Sequence, residues 1–238
     1  MFTYKDQVSR QAQNLTDHSA SALPWANLLP DKFKIFSITN RQICQGSLPQ
    51  QIDKLCRLGV KDFILREKDL SPNDYASLAA EVLKVCQNHR ANLILHSFWQ
   101  IADDKPTGSI GQWSDCKLTC DKVHFPLWLL ERDHAQIVAK GFTEIGCSCH
   151  SIEEAQRAID LGATYITASH IYPTDCKKGL APRGLEFLND ICSFVKSQKG
   201  DDFPVYALGG IKTDGSQFEE LKAAGASGAC LMSGLMKL

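Results

Sequence analysis

No stretch of this 238-residue chain is apolar over the length needed to cross a bilayer. The opening residues, MFTYKDQVSRQAQNLTDHSA, lack the apolar core of a secretory signal. Together these absences predict a protein that stays in the cytosol and has no membrane partner. Net charge is missing too: 26 Lys and Arg against 27 Asp and Glu leave −1. That balance argues against nucleic acid or an anionic membrane as the main partner, while leaving room for a local cationic pocket. Ten cysteines are present, but without the pattern of a disulfide framework. They are scattered, mostly in apolar runs (Cys56, Cys86, Cys192, Cys230), and read as reduced core residues. The cluster Cys147, Cys149, His150 lacks a second ligand pair at finger spacing. On a strand its two cysteines face one side and the histidine the other, so no metal site is expected there.

What is there is an alternation. Strand-like runs occur at 33–39 (FKIFSIT), 61–67 (KDFILRE), 92–97 (NLILHS), 122–126 (KVHFP), 143–149 (TEIGCSC), 164–172 (TYITASHIY), 204–210 (PVYALGG) and 227–234 (SGACLMSG). Helix-like runs separate most of them. LPQQIDKLCRLG stops at Gly59, and the run from Ser71 opens with a cap and Pro72. A helix is expected over 131–140, and Ser151 with Glu154 has the form of a capping box. Further helical runs cover 185–198 and SQFEELKAAGA. Residues 98–121 are turn-rich and irregular. Crossover connections mean parallel pairing, and strands apolar on consecutive residues are covered on both faces. Eight such units predict an α/β protein with a (β/α)8 TIM barrel over 33–238, preceded by an N-terminal extension over 1–32. The chain ends four residues after the eighth run, without room for the usual last helix. A segment near residues 4–20 is expected to pack over the place left open.

Active sites of such barrels lie at the carboxyl ends of the strands. There the chain carries Arg66, Glu67 and Lys68, His96 and Ser97, Ser148, His170, Gly209 and Gly210, and Ser233 and Gly234. Small-residue turns after the last two strands suit a phosphate, because glycine lets backbone N–H groups approach an anion closely. The plainer reading is that these glycines only make tight turns. His170 titrates near neutrality and is a candidate acid/base residue, or else a buried histidine satisfied by a neighbour. Cys176, between Asp175 and the cations Lys177 and Lys178, is a rival nucleophile or an inert loop thiol. At least one of the two lysines is expected to be solvated. Trp128 is expected in the core, with stacking on a flat heterocycle at the mouth as the alternative.

These residues resemble the thiamin phosphate synthase superfamily over most of residues 33–238. The resemblance is carried by LREKDLS (65–71), GCSCHSIEEA (146–155), IYPTDCKKG (171–179), LGGI (208–211) and GASGACLMSG (225–234). In that superfamily a synthase joins a pyrimidine diphosphate to a thiazole phosphate with Mg²⁺, and a tautomerase branch (TenI) aromatises a thiazole phosphate carboxylate. Three synthase positions differ here. Ile64 stands for a glutamine, His96-Ser97 for an Asn-Asp pair, and Leu129 lies near the place of a metal-binding Asp. Mg²⁺ wants carboxylate oxygens, so the resemblance points to the tautomerase branch, whose strand-six turn is similar to SHIYPTDCKKGLAPRG.

The resemblance then implies an isomerase with no metal and no cofactor, acting on a small-molecule thiazole phosphate. His170 would be its proton shuttle, and Gly209, Gly210, Ser233 and Gly234 would hold the phosphate. Lys177 or Lys178 would hold an anion, and Ser148 would line the site. Arg66 and Lys68 would meet the substrate carboxylate or else pair with Glu67. A synthase, or a non-catalytic regulatory homologue that keeps the phosphate pocket, is the alternative. A homo-oligomer is compatible with the sequence, which does not set the oligomeric state.

Overall fold

The computed structural model describes Leu23, residues 28–102 and residues 118–238. The N-terminal segment expected to cover one end of the barrel, and residues 103–117 of the irregular stretch, lie outside the described residues.

Eight strands close into a parallel barrel in sequence order. They are β1 (Lys34–Ile38), β2 (Asp62–Leu65), β3 (Asn92–His96), β4 (Lys122–Pro126), β5 (Glu144–Cys149), β6 (Tyr165–Ser169), β7 (Val205–Leu208) and β8 (Gly228–Leu231). The register of β8 on β1, with Lys34 opposite Gly228 and Ser37 opposite Leu231, completes the ring. The helices are α1 (Leu48–Arg57), α2 (Pro72–Asn88), α3 (Leu127–Lys140), α4 (Ile152–Asp160), α5 (Gly184–Lys199), α6 (Phe218–Ala223) and a single turn after β8, α7 (Ser233–Met236).

Local chemistry sets the helix starts. Before α1, Ser47 and Gln50 form a reciprocal capping box, with Pro49 in the first turn. Before α2, the Ser71 hydroxyl accepts the Asp74 N–H, with Pro72 as first helical residue. At α4 only half of the expected box forms. Ser151 accepts the Glu154 N–H at 3.2 Å, but the Glu154 carboxylate turns back to the His150 backbone N–H at 2.7 Å and to His150 Nδ1 at 3.1 Å. Helix α3 begins at Leu127, earlier than residue 131. Pro126 ends β4 with extended φ/ψ of −68° and 146°, which is the geometry of an N-cap, so the helix starts at once.

Strand alternation sorts side chains into two layers. One face packs on the helices: Phe63, Leu65, Leu95, Val123, Phe125, Cys147, Cys149, Ile166 and Ala207 are all fully buried there. The two cysteines of the Cys-Ser-Cys-His run therefore serve that packing. The other face fills the barrel with Phe36, Ile38, Ile64, Ile94, Tyr165, Tyr206 and Cys230. Phe36 lies 4.5 Å from Tyr206 and 5.9 Å from Tyr165, ring centre to ring centre. This aromatic plug closes the barrel below the mouth. Gly146 makes room for it, since a Cβ there would fall 2.1 Å from Tyr165 Cζ. Among the described residues, no helix is long and apolar enough to cross a membrane.

Candidate functional site

Above the plug, the carboxyl ends of the strands enclose a cavity of about 240 Å³. That is the small end of ligand pockets, enough for one heterocyclic ester. Arg66, Ser148, His170, Lys177, Gly209, Gly210, Ser233 and Gly234 all line it. Lys68 does not. Its ammonium is held below the usual range, first by burial and then by the charge of Arg66. His96, His124, Ser169 and Thr174 also line the cavity.

The glycine turns are both structural and permissive. Gly209 has φ +103°, and a Cβ on it would lie 2.4 Å from the Cβ of His170. Gly210, at φ +70°, faces the Pro173 carbonyl, which a Cβ would approach to 2.4 Å. At Gly234 a Cβ would lie 2.4 Å from Thr213 Cγ2. Three turns can therefore crowd together only because these positions carry no side chain, and the same bareness leaves backbone facing the cavity.

His170 follows the last residue of β6, is 4% exposed, and its Nε2 has no hydrogen-bond partner. His170 lines the cavity, and its ring keeps a buried polar atom without a partner among the described residues. The satisfied-core reading of this histidine is therefore not what the structure shows. Beside it, Lys177 closes the short turn Asp175–Lys177 and donates to Ser169 Oγ at 3.4 Å. Burial, and then the charge of Arg183, lower its ammonium pKa. Lys178 points outward, exposed and 3.8 Å from Asp175. It is the solvated one of the pair. The Cys176 side chain lies outside the described residues.

One functional candidate was invisible to motif reading. His124 sits in the middle of β4, facing inward, with its ring centre 5.7 Å from that of His96. Its Nε2 lies 2.8 Å from Ser148 Oγ and its Nδ1 lies 3.1 Å from the Tyr165 hydroxyl. Burial alone pushes His124 down to about 3, and burial first, then His124, Lys68 and Arg66, holds His96 well below the usual histidine range. Both rings are neutral at neutral pH. Burial also keeps Tyr165 protonated, and in the His124 tautomer that carries its proton on Nε2 the Tyr165 O–H donates to Nδ1. Nε2–H of His124 then donates to Ser148, which also accepts from Thr167 at 3.4 Å. That assignment leaves the Ser148 proton free to point at a ligand. The signal in the sequence was alternation: counting by twos from Lys122 puts His124 inside the barrel.

Glu67 corrects the alternative role given to Arg66 and Lys68. Its carboxylate accepts from Thr39 Oγ1 at 2.7 Å, from the Arg41 N–H at 3.0 Å and from Arg41 Nη1 at 3.1 Å. Its partner is Arg41, from the turn after β1. Arg41 also clamps Asp69 with bonds of 2.7 and 2.6 Å, which pull that carboxyl down to about 2. Arg66 spends only its backbone N–H, on Thr39 Oγ1 at 2.9 Å, and its guanidinium has no ion pair among the described residues. Trp128 is not in the core: it is 60% exposed, with the Arg132 guanidinium 5.4 Å from its ring centre.

A synthase of this superfamily implies Mg²⁺, and the residues present do not fit it. Among the described residues no carboxylate lines the cavity. The nearest acids along the strand ends, Glu67 and Asp69, are spent on Thr39, Arg41 and Gln42. No group of three His, Cys, Asp or Glu among the described residues is placed to hold a metal ion.

Comparison with known proteins brings in a family. The family model described as thiamine monophosphate synthase matches residues 35–235. The thiamine-phosphate synthase of Fusobacterium nucleatum is 29% identical over 204 residues, covering 85% of this chain and 89% of that protein. The thiamine-phosphate synthase of Caldivirga maquilingensis is 30% identical over 178 residues, covering 75% and 76%. Among solved structures, a thiamine phosphate pyrophosphorylase from Pyrococcus furiosus superposes with a TM-score of 0.65 at 21% identity, over 87% of this chain and 89% of that one. These matches overturn the expectation of a thiazole tautomerase, and with it the isomerase assignment; they show the superfamily and not its TenI branch. The curated relatives that align along most of the chain carry the synthase name. Three substituted ligand positions weighed too heavily against similarity spread over the whole barrel. With the tautomerase goes the reaction in which His170 was the proton shuttle.

Proposed function

From the chain's membership of the thiamine monophosphate synthase family, shown by the match over residues 35–235, we propose that it is a transferase of the synthase kind. It joins a thiazole phosphate to a pyrimidine delivered as its diphosphate. The observation that carries this reading is one cavity bearing two separate anion-holding elements. Bare backbone at Gly209, Gly210, Ser233 and Gly234 suits the ester phosphate, while Arg66 and Lys177 suit a second, leaving anion.

The bond changes ask little proton chemistry of the protein. The methylene–oxygen bond of the pyrimidine ester breaks, and its electron pair leaves with the diphosphate. The thiazole nitrogen supplies the pair for the new carbon–nitrogen bond, and the ring becomes a thiazolium. No proton has to leave, so the chain's task is to hold two anions, align two rings and exclude water. Neutral His96 and His124 offer polar walls without adding charge where a cation develops. Ser148 donates toward the cavity, and His170 Nε2 contacts the bound ligand.

The missing carboxylates favour a second reading, a homologue that binds the phosphate ester without turnover. One experiment separates the two. The protein is incubated with both precursors, with and without Mg²⁺, and thiamin phosphate is measured after oxidation to its fluorescent thiochrome. The transferase reading expects product, reduced about tenfold or more in Arg66→Gln. No product alongside retained binding of the thiazole phosphate supports the second reading and sinks the first.

A further inference from the structure

The cation chemistry of the mouth points to a property that family membership does not supply. We propose that this cavity binds a diphosphate group without a divalent cation, through Arg66 and Lys177 acting on a wall of neutral imidazoles. The inference rests on the transferase reading for the identity of the anion, but not for the site itself.

Four observations carry it. First, the described lining contains two cationic side chains and no carboxylate. A bound Mg²⁺ would need oxygen ligands from the protein, and among the described lining residues only hydroxyls and backbone carbonyls could supply them. Second, neither cation is tied up in an ion pair among the described residues. The Arg66 guanidinium has none, and the Lys177 ammonium donates to the Ser169 hydroxyl at 3.4 Å, with Glu154 acting on it only through space. By contrast Arg41 is spent on Glu67 and Asp69, and Lys178 lies against Asp175. Third, His96 and His124 occupy the wall between β3 and β4, where the superfamily's synthase pattern puts its metal-side residues. Their rings stack with centres 5.7 Å apart and are neutral, a poor setting for an added dication. Fourth, His170 lines the same cavity, and its buried Nε2 has no partner among the described residues.

The depressed ammonium of Lys177 agrees with this geometry. Burial and Arg183 disfavour its charge in the free protein.

The test is calorimetric titration of the full chain with inorganic pyrophosphate, in excess EDTA and again with Mg²⁺ present. Free Mg²⁺ itself complexes pyrophosphate in solution. A site built for the bare anion should therefore bind no more tightly with Mg²⁺ than with EDTA. Arg66→Gln and Lys177→Gln should each weaken binding in EDTA by about tenfold, the loss of one charge-assisted contact. Thermal melts of both variants should match the parent closely, since neither side chain is in an ion pair among the described residues. Affinity raised about tenfold or more by Mg²⁺ overturns the proposal. So does absence of pyrophosphate binding in EDTA, or binding untouched by both substitutions. Failure to form thiamin phosphate in the precursor assay leaves this titration readable, because it follows binding and not turnover.

Discussion

The two ends of the barrel interior are built on opposite rules. At the floor, where the strands begin, polar groups answer one another. Lys122 pairs with Glu144, and Asn92 donates to Asp62 at 2.7 Å. Burial pushes the Asp62 carboxyl up, and the Asn92 amide pulls it part of the way back. Above this layer, Phe36, Tyr165 and Tyr206 fill the cross-section with ring against ring. At the mouth the protein leaves its polar groups unanswered: Arg66 without an acid, His170 Nε2 without a partner, glycine backbone where side chains would be. Satisfied groups hold a fold, and unsatisfied ones on a cavity wall hold a ligand. Substitutions at the floor and plug should therefore register in stability, and those at the mouth in affinity.

The largest effect is expected where the plug meets the mouth. In Gly146→Ala the new methyl would lie 2.1 Å from Tyr165 Cζ and 2.4 Å from His124 Nδ1, both in fully enclosed rings. Neither ring can swing into free space, so overpacking should cost about 3 kcal/mol, read from chemical denaturation. A variant as stable as the parent would show that the plug is loosely packed, and the contrast between the two ends would lose its basis.

Next in size is a dependence on pH. His124 is held down to about 3 by burial, and His96 is also well below its ordinary value. In the unfolded chain each imidazole takes its proton near pH 6.5. Their contribution is therefore complete above that pH and is lost as the pH falls, because the unfolded state binds the extra protons. Below about pH 6.5 each makes stability fall as the pH falls, continuing for His124 until its own folded value near 3 is approached. His124→Gln removes one of these terms. Denaturation midpoints between pH 6.5 and 4 should then fall less steeply than in the parent. Parallel curves would mean that His124 is protonated, or wet, in the folded state.

Much of this arrangement was legible in the sequence, for stated reasons. Strands such as KVHFP were found to the residue, because apolar runs bounded by turn residues mark strands covered on both faces. The closed eight-fold order followed from crossovers alone. Lining residues at strand ends were readable because the barrel fixes where its strands point. What stayed hidden depends on contacts between distant segments. That Arg41, not Arg66 or Lys68, answers Glu67 depends on how the turn after β1 folds over β2. That Glu154 caps through His150 depends on a side-chain rotamer. Trp128 read as core by its composition, yet the start of α3 at Leu127 turns it outward. Function was misjudged for another reason. Individual ligand positions speak of chemistry, whereas kinship is spread along the whole barrel.

A third expected effect separates affinity from stability at one position. Gly209→Ala forces a side chain onto a backbone at φ +103° and drives a methyl to 2.4 Å from His170 Cβ. The strain should cost about 1–3 kcal/mol. Phosphate-ester affinity should drop by more than that cost alone explains, because His170 and the bare backbone are displaced together. Titration of thiazole phosphate beside a denaturation curve measures both quantities. Equal affinity in a stably folded variant would remove the β7 turn from the binding site.

The smallest effect is the sharpest comparison, because it makes one substitution at each end. Lys122→Gln and Lys177→Gln each remove a lysine charge from the barrel interior. Lys122 is partly buried and paired with Glu144, and its loss leaves that carboxylate beside Asp62 with less to offset it. A cost of about 0.5–1 kcal/mol is expected, more at low salt, since the pair is partly open to water. Lys177 has no carboxylate in an ion pair among the described residues, Glu154 acts on it only through space, and burial already disfavours its charge. Its substitution should leave the melting temperature unchanged while weakening anion binding. Should Lys177→Gln destabilise the protein as much as Lys122→Gln, its ammonium would be part of the scaffold. The division between a self-satisfied floor and an expectant mouth would then fail at the residue on which it depends most.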